Sequence, residues 1–169
     1  IGGNTQGLTQ ALRQVDNDAK ATQNELRAIE RGLKFNPADT RLLAQQQQLL
    51  ADSIQNASTR LDALRNAQER VQQQFDSGDI GIEQYRLFQR ELANSESSLR
   101  GLQGRLDATT STQERFADAQ QQLQTYLQAT DQSVDDLAST LGSRLTNSIR
   151  DGSASADQLE AAIRRISQT

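Results

Sequence analysis

Apolar residues recur along the first part of the chain in steps that alternate strictly between four and three residues. This seven-residue period is typical of coiled-coil helices, each of which buries one narrow apolar stripe, here called the seam. The pattern predicts a first helix that ends near Phe35. Its seam consists of Leu8, Leu12, Val15, Ala19, Thr22, Leu26, Ile29 and Leu33.

A second seam follows the only proline of the sequence and predicts a helix from about Pro37 to Phe75. Asn36 can accept a hydrogen bond from a free amide at a helix start, and Pro37 suits the first helical position. Two glutamines, Gln47 and Gln68, are either tolerated at a partly wet seam or select register and oligomeric state. This seam consists of Leu43, Gln47, Leu50, Ile54, Ala57, Leu61, Leu64, Gln68, Val71 and Phe75.

The seams on the two sides of Asn36-Pro37 are in phase with this turn. Because the connection is short, the helices should fold back on each other, so that Leu33 faces Leu43 and Leu26 faces Leu50. Each paired large side chain would contribute about 1.5–3 kcal/mol through burial. Residues 1–76 are therefore predicted to form a helical hairpin. Its other pairs are Thr22 with Ile54, Val15 with Leu61, Leu12 with Leu64, and, at a narrow waist, Ala19 with Ala57.

Two glycines, Gly78 and Gly81, mark a second turn, after which a third helix begins near Ile82. Threonines and a serine around Thr110 favour either a kink or a break in this helix. The segment 77–130 is thus predicted to be one long helix or two pieces of one. Its seam consists of Tyr85, Phe88, Leu92, Ser95, Leu99, Leu102 and Leu106.

Folding back at the second turn would bring Tyr85 near Phe75 and Phe88 near Val71. These side chains form either an apolar cluster that closes the end of a hairpin or a partner-binding patch. The second helix could pair with the first helix, with the third, with both in a three-helix bundle, or with copies of itself in other chains.

The segment 131–169 is predicted to form short amphipathic helices. Ser133 and Asp136 match a capping box, Gly152 ends the helix that follows, and Ser155 caps the last one. The fold class is therefore all-α, with long antiparallel coiled-coil helices and a short C-terminal helical segment. The apolar residues of this segment are Leu137, Leu141, Leu145, Ile149, Leu159, Ile163 and Ile166.

Composition restricts the chemistry that the chain can perform. Hydrophobic residues make up 34% and aromatic residues 4% of the sequence, which suits helices that bury one stripe rather than a large core. The absence of histidine and cysteine excludes histidine-based catalysis, cysteine nucleophiles and most transition-metal sites. Carboxylates such as Glu91 and Glu96 are interpreted as solvated helix faces. We expect no enzymatic activity, no cofactor and no metal.

Charge and hydropathy restrict the partners. The net charge is −4 and both signs are interspersed without a basic stripe, so direct binding of nucleic acid is not expected. No apolar run approaches the length of a membrane span. The chain starts at Ile1 without methionine and ends within a helical pattern, so we expect a fragment of a larger protein.

Two stretches resemble the N-terminal region of tail tape measure proteins from long-tailed phages and prophages, notably those of Gram-positive hosts. The first, Leu33-Lys34-Phe35-Asn36-Pro37-Ala38-Asp39-Thr40 continuing to Gln45, is the more specific, and the second runs from Ser77 to Leu92. Gly81 departs from the serine or threonine cap of the family pattern. The sequences Gly142-Ser143-Arg144-Leu145 and Asp151-Gly152-Ser153-Ala154-Ser155 also look similar to this family.

This resemblance implies a structural virion protein that templates tail-tube assembly and sets tail length. Such proteins occupy the lumen of the tail tube in several copies, after assembly in the host cytoplasm with tail tube, tail chaperone and baseplate proteins. They leave the tube at infection and assist DNA delivery. The alternative is a cellular coiled-coil scaffold or adaptor that binds partner helices, which the heptads alone fit equally well.

Overall fold

The computed structural model describes residues 5–168, with the side chains of Arg13 and of residues 16–168. All regular elements in this part of the chain are helices, which confirms the all-α fold class. The three long helices are α1 (Thr5–Phe35), α2 (Thr40–Asp76) and α3 (Ile82–Thr130). After a 3₁₀ turn at Asp135–Leu137 come the short helices α4 (Ala138–Leu141), α5 (Ser143–Arg150) and α6 (Ala156–Ile166).

The chain forms two compact units whose boundaries lie inside the long helices. The first unit consists of the described residues of Ile1–Leu26 together with Gln48–Leu106. The second unit consists of Arg27–Gln47 and the described residues of Asp107–Thr169. The segments predicted from the sequence, 1–76, 77–130 and 131–169, are divided near the turns between helices, whereas these two units are not. Each unit therefore combines parts of α1, α2 and α3.

The first turn, in the second unit, ends α1 at the expected residue but caps α2 differently from the prediction. α2 begins at Thr40 rather than at Pro37. Its cap is Asp39, whose Oδ1 accepts hydrogen bonds from the amides of Arg41 and Leu42 at 3.0 and 3.1 Å. Asn36 does not cap the helix, since its Oδ1 is buried and accepts no hydrogen bond.

The reason for this shift is the conformation that proline imposes on its neighbours. Proline disfavours the helical conformation at the preceding residue and suits the second position of a tight turn. The amide of Asp39 accordingly donates to the carbonyl of Asn36 at 3.2 Å, which closes a turn around Pro37 and Ala38. The helix can restart only after that turn, where Asp39 is the first side chain that reaches the free amides.

Close packing accompanies the first turn. A Cβ atom added at Gly32 would lie 2.8 Å from Cδ1 of Leu42, so the glycine lets α1 approach α2. Ala38 is buried and belongs to the hydrophobic core of the second unit. The turn is thus part of a packed structure rather than a loop in solvent.

α3 continues without interruption through the threonine-rich stretch around Thr110. Thr110 accepts a hydrogen bond from the Gln47 side-chain amide at 3.2 Å, and Thr112 donates to the carbonyl of Ala108 at 2.9 Å. These bonds satisfy the hydroxyls without displacing the backbone ladder, which is the usual way in which threonine is accommodated inside a helix. Of the two alternatives predicted for this stretch, the break is therefore wrong, and α3 is one helix.

The second unit contains a core built from α3 and the short helices. Leu137, Leu141, Leu145 and Ile149 are predicted to lie on the one helix that follows Ser133. They contribute to this core or pack against it, but they do not form one helix. Gly142 divides them into α4 and α5, with a backbone φ of 83° and ψ of 147° that is open essentially only to glycine. The core consists of Ala38, Phe116, Ala119, Leu123, Leu137, Leu141, Ala154, Ala156, Leu159, Ala162 and Ile166, with Tyr126, Leu127, Leu145, Ile149 and Ile163 packed against it.

Two predicted capping motifs occur in the second unit. The Ser133 amide donates to Oδ2 of Asp136 at 2.7 Å, and the Asp136 amide donates back to the serine hydroxyl at 3.3 Å. The Ser133 hydroxyl also donates to Oδ2 of Asp136, at 2.7 Å. The hydrogen bonds that this carboxyl accepts, first from the Ser133 amide and then from its hydroxyl, lower the pKa of Asp136. At α6, Ser155 accepts from the Gln158 amide while the Gln158 side chain accepts from the Ser155 amide. Ser155 therefore caps the last helix as predicted.

The first prediction concerns the cap of α2. Replacing Asp39→Ala removes the acceptor for two helix amides and should lower the free energy of unfolding by about 1 kcal/mol. The matched control is Asn36→Ala, which removes a buried oxygen that accepts no hydrogen bond and should cost less. Urea unfolding followed by circular dichroism measures both. A larger loss for Asn36→Ala than for Asp39→Ala would mean that Asn36 is the cap after all.

The second prediction compares two glycines. Gly142→Ala places a Cβ at a positive φ and should destabilise the second unit by about 1–3 kcal/mol. Gly104→Ala lies inside α3, where nothing occupies the space around an added Cβ, and should stabilise the helix by about 0.5–1 kcal/mol. The two variants should thus move the urea midpoint in opposite directions, and shifts of the same sign would contradict this assignment.

Candidate functional site

The seam is the surface to which the sequence pattern assigns function, and the structure describes most of it. Leu8, Leu12 and Val15 lie outside the side chains that are described. The buried seam residues are Leu26, Leu43, Leu50, Leu61, Leu64 and Ser95. The partly buried ones are Ala19, Thr22, Ile29, Leu33, Ile54, Ala57, Val71, Phe75, Phe88, Leu92, Leu99, Leu102 and Leu106.

The residues assigned to turns occupy connecting segments. Asn36 and Pro37 lie between α1 and α2, and Gly78 lies between α2 and α3 with a φ of 79°. Gly81 directly precedes α3, where its amide donates to the Gln84 side chain at 2.9 Å. Gly152 follows α5 with a φ of 71°. Glycine at these positive φ values avoids the strain that a Cβ would cause.

The seam of α2 departs from its predicted path near its end. Gln68 is exposed, whereas its neighbour Ala67 is only 2% exposed. Ser53, also outside the predicted seam, is buried and donates to the Leu49 carbonyl at 2.7 Å. A straight α-helix drifts relative to a seven-residue repeat, and a helix with two neighbours buries a wider stripe. The small side chains of Ala67 and Ser53 are the sequence feature that could have indicated a close helix contact beside the seam.

The two seam glutamines have different surroundings. Gln47 is partly buried in the second unit, where it donates to Thr110, and its neighbour Gln46 accepts from Thr109 at 3.5 Å. Gln68, by contrast, is exposed to solvent. The polar layer that links α2 to α3 in the second unit therefore involves Gln47 rather than Gln68.

The second turn brings together the aromatic residues that the sequence predicts to meet. The rings of Phe75 and Tyr85 stack with centroids 4.5 Å apart and planes 14° from parallel, which confirms the predicted approach. The Tyr85 hydroxyl donates to the Gln72 side chain. Stacking of aromatic rings adds to the burial energy of both side chains. The aromatic residues thus close the end of the α2–α3 pair in the first unit.

Arg60 is a residue of the first unit that the heptad pattern does not single out. It lies on α2 next to the seam, with its side chain only 17% exposed. Its guanidinium forms ion pairs with Asp16 of α1 and Glu91 of α3, and its Nε donates to the Ser95 hydroxyl of α3 at 3.3 Å. Asp16 and Arg60 are equally distant from Ala38 in sequence, as are Leu26 and Leu50. A single side chain therefore connects three helices in the register that the hairpin predicts.

A cavity of about 260 Å³ lies beside this arginine in the first unit. Ala19 and Ala57, the predicted narrow waist, line it together with Ser53, Ser95 and Ser98. Small side chains from three helices at one level leave space that larger residues would fill. The wall also carries the charged side chains of Asp16, Arg60 and Glu91, so the cavity is polar on one side.

The chemistry available at this site is that of recognition and alignment. The arginine donors are engaged by two carboxylates and a hydroxyl, and the chain contains no histidine or cysteine to activate a nucleophile. Among the described residues, no group of three or more carboxylates is placed to hold a metal ion. The ion pairs and the hydrogen bond of Arg60 fix the relative position of α1, α2 and α3 in the first unit.

A second ionic cluster lies on the surface of the second unit. The guanidinium of Arg115 on α3 donates to Glu160 at 2.8 and 3.0 Å and to Asp157 at 2.6 Å, both on α6. The hydrogen bond from Arg115 lowers the pKa of Glu160, and the two carboxylates raise the pKa of Arg115. This cluster connects α6 to α3. Its side chains are partly exposed to solvent, so the ion pairs contribute little to stability.

Comparisons of the chain with known protein families, with curated proteins and with solved structures found no match. Within residues 5–168, none of the helices is both long and apolar enough to cross a lipid bilayer.

The third prediction tests Arg60. Arg60→Ala removes two ion pairs and one hydrogen bond and should lower the free energy of unfolding by about 1–2 kcal/mol at low salt. Because Asp16 and Glu91 are partly exposed, this loss should shrink at about 1 M salt, where the Debye length is about 3 Å. Arg100→Ala, at an exposed position of α3, is the control and should change stability little. A loss for Arg60→Ala that is independent of salt would indicate packing rather than charge.

Proposed function

We propose that this chain is part of a structural phage or prophage tail protein of the tape measure type. In this role it templates assembly of the tail tube, and its length sets the length of the tail. The observation that carries the proposal is the first turn. The stretch that most resembles the family, Leu33 to Gln45, forms a tight turn between two long helices whose seams are in phase with it.

The details of this turn support a specific sequence requirement. Pro37 lies in the turn, Asp39 caps α2, and Ala38 packs into a core, while Gly32 permits close approach of Leu42. A generic coiled coil needs apolar residues at seam positions but does not need this combination of turn residues. The local sequence that resembles the family therefore has a structural reason to occur as a block.

The second stretch that resembles the family supports the same proposal. Ser77 to Leu92 contains the turn between α2 and α3, the Gly81 helix start and the stacked Tyr85. Gly81 stands where the family pattern has serine or threonine, and the Gln84 side chain accepts the Gly81 amide in partial replacement of a capping box. Both connections between the long helices are therefore made by sequences that resemble those of one family.

A chain of helices is physically suited to setting a length. An α-helix rises about 1.5 Å per residue, so the number of residues determines its length, and lateral pairing makes that length reproducible. In the proposed role the protein acts in several copies in the tail-tube lumen of the virion, after assembly in the host cytoplasm with tail tube, tail chaperone and baseplate proteins. It leaves the tube at infection and assists DNA delivery without binding DNA directly.

The fourth prediction is a change of tail length. Deleting residues 19–25 together with residues 51–57 removes one heptad on each side of the first turn and preserves the phase of both seams. The two deleted heptads lie side by side in the hairpin, so tails made with this variant should be shorter by the length of one heptad, about 10 Å at about 1.5 Å per residue. Electron micrographs of negatively stained tails measure the difference over many particles.

The control keeps the length constant and changes only exposed side chains of the same helix, through Gln45→Ala and Gln55→Ala. Tails of this variant should have the original length. Full-length tails from the deletion variant would contradict the proposal. A cellular scaffold would instead be indicated if the gene lies outside any cluster of tail genes and its product is missing from purified particles.

A further inference from the structure

Two ion pairs in the first unit connect α2 to α3. One joins Arg60 to Glu91, and the other joins Arg65 to Glu96 with 3.1 Å between Nη2 and Oε1. The two arginines are five residues apart on α2, and the two glutamates are five residues apart on α3. This spacing places each pair on the flanks of the seam rather than within it.

The heptad positions of these residues can be read from the seam, with a and d as seam positions and e and g as flanks. Arg60 precedes the a residue Leu61 and is a g residue, while Arg65 follows the d residue Leu64 and is an e residue. Glu91 precedes Leu92 and is likewise g, and Glu96 follows Ser95 and is e. In antiparallel helix pairs g faces g and e faces e, so both observed ion pairs follow the antiparallel rule.

The same residues would repel each other in the opposite orientation. In a parallel pair of identical helices, a g residue faces the e residue five positions further along the partner. Arg60 of one α2 would then face Arg65 of a second copy, and Glu91 of one α3 would face Glu96 of a second copy. Both contacts bring together like charges. The other e and g positions of α2 hold only alanine, serine and glutamine, so no other pair compensates.

Exposure indicates that the Arg65–Glu96 pair contributes to orientation more than to stability. Arg65 is 56% and Glu96 is 41% exposed, and exposed ion pairs stabilise a fold only slightly. Most residues of the two seams are leucine or another apolar residue, and such side chains can pack in either orientation. Flanking charges are therefore the feature that distinguishes the two orientations, as e and g charges do in helix pairs generally.

We propose that Arg60, Arg65, Glu91 and Glu96 select the antiparallel pairing of α2 with α3 inside one chain and oppose parallel pairing of either helix with its counterpart in a second chain. Copies of the chain that associate side by side in the same direction must then use surfaces other than the seams at this level. The proposal concerns the choice of helix partner and holds whether or not the protein belongs to a phage tail.

The fifth prediction uses the double variant Arg65→Glu with Glu96→Arg. It keeps opposite charges at the observed α2–α3 contact, with the signs exchanged. In a parallel pair, however, it places opposite charges where the native chain has like charges, in both α2 and α3. Intramolecular complementarity between α2 and α3 is preserved while the barrier to parallel self-association is removed, so the variant should fold with the native helix content. Its urea midpoint should be slightly lower, because the exchanged signs repel Glu69 and Arg100 one turn away on the same helices.

Sedimentation equilibrium of the whole chain over a range of concentrations measures self-association. The association constant of the double variant should exceed that of the native chain by about tenfold or more, because several flanking pairs change from repulsive to attractive. The neutral variant Arg65→Gln with Glu96→Gln should lie between the two. Equal association constants for all three proteins, or failure of the double variant to retain the native helix content, would overturn the proposal.

The direction of association has its own readout. The native chain has no cysteine, so Gln68→Cys introduces a single thiol at an exposed a position of α2. Parallel α2 pairs bring this thiol next to its counterpart, and disulfide-linked dimers should form faster in the double-variant background than in the native background. Association of the double variant without faster disulfide formation would also overturn the proposal, since the copies would then be paired in another way.

Discussion

The scarcity of apolar surface is the constraint on which this structure depends. Each long helix has one narrow stripe to bury, so stability comes from bringing stripes of different helices together. The turns decide which stripes meet. Pro37 and Gly78 fix two points at which the chain reverses, and the phase of the seam relative to these points determines the partners of each apolar residue. A turn displaced by one residue would rotate the following helix by about 100° and turn its stripe away.

Polar contacts then add information that leucine and alanine cannot supply. In the first unit, Arg60 links α2 to both α1 and α3, and in the second unit Gln47 links α2 to Thr110 of α3. Such contacts have specific partners, whereas apolar side chains accept many. Arg60 occurs at a level where small residues leave a cavity, so charge rather than burial sets the alignment there. The helices are thus held by apolar burial and aligned by a few polar side chains.

The sequence was sufficient where a local rule determines the outcome. The end of α1 before Pro37, the start of α3 at Ile82 and the cap by Ser155 follow from proline sterics, glycine turns and the capping box. It was insufficient where several local rules compete. Asn36 and Asp39 are both good caps, and only the geometry of the turn selects Asp39. Gly142 could have been a tolerated helix residue, but packing of α4 and α5 requires its positive φ. Arg60 depends on partners in two other helices, which periodicity alone does not identify.

The placement of the two tyrosines gives the protein natural optical labels. The chain has no tryptophan, so Tyr85 and Tyr126 dominate its near-ultraviolet absorption and its fluorescence. Tyr85 stacks on Phe75 in the first unit, and Tyr126 packs against the core of the second unit. Each unit therefore contains one chromophore in a defined environment. Because neither ring shares its unit with the other, removing one hydroxyl by Tyr→Phe substitution leaves a spectrum that reports the unfolding of a single unit without any added label.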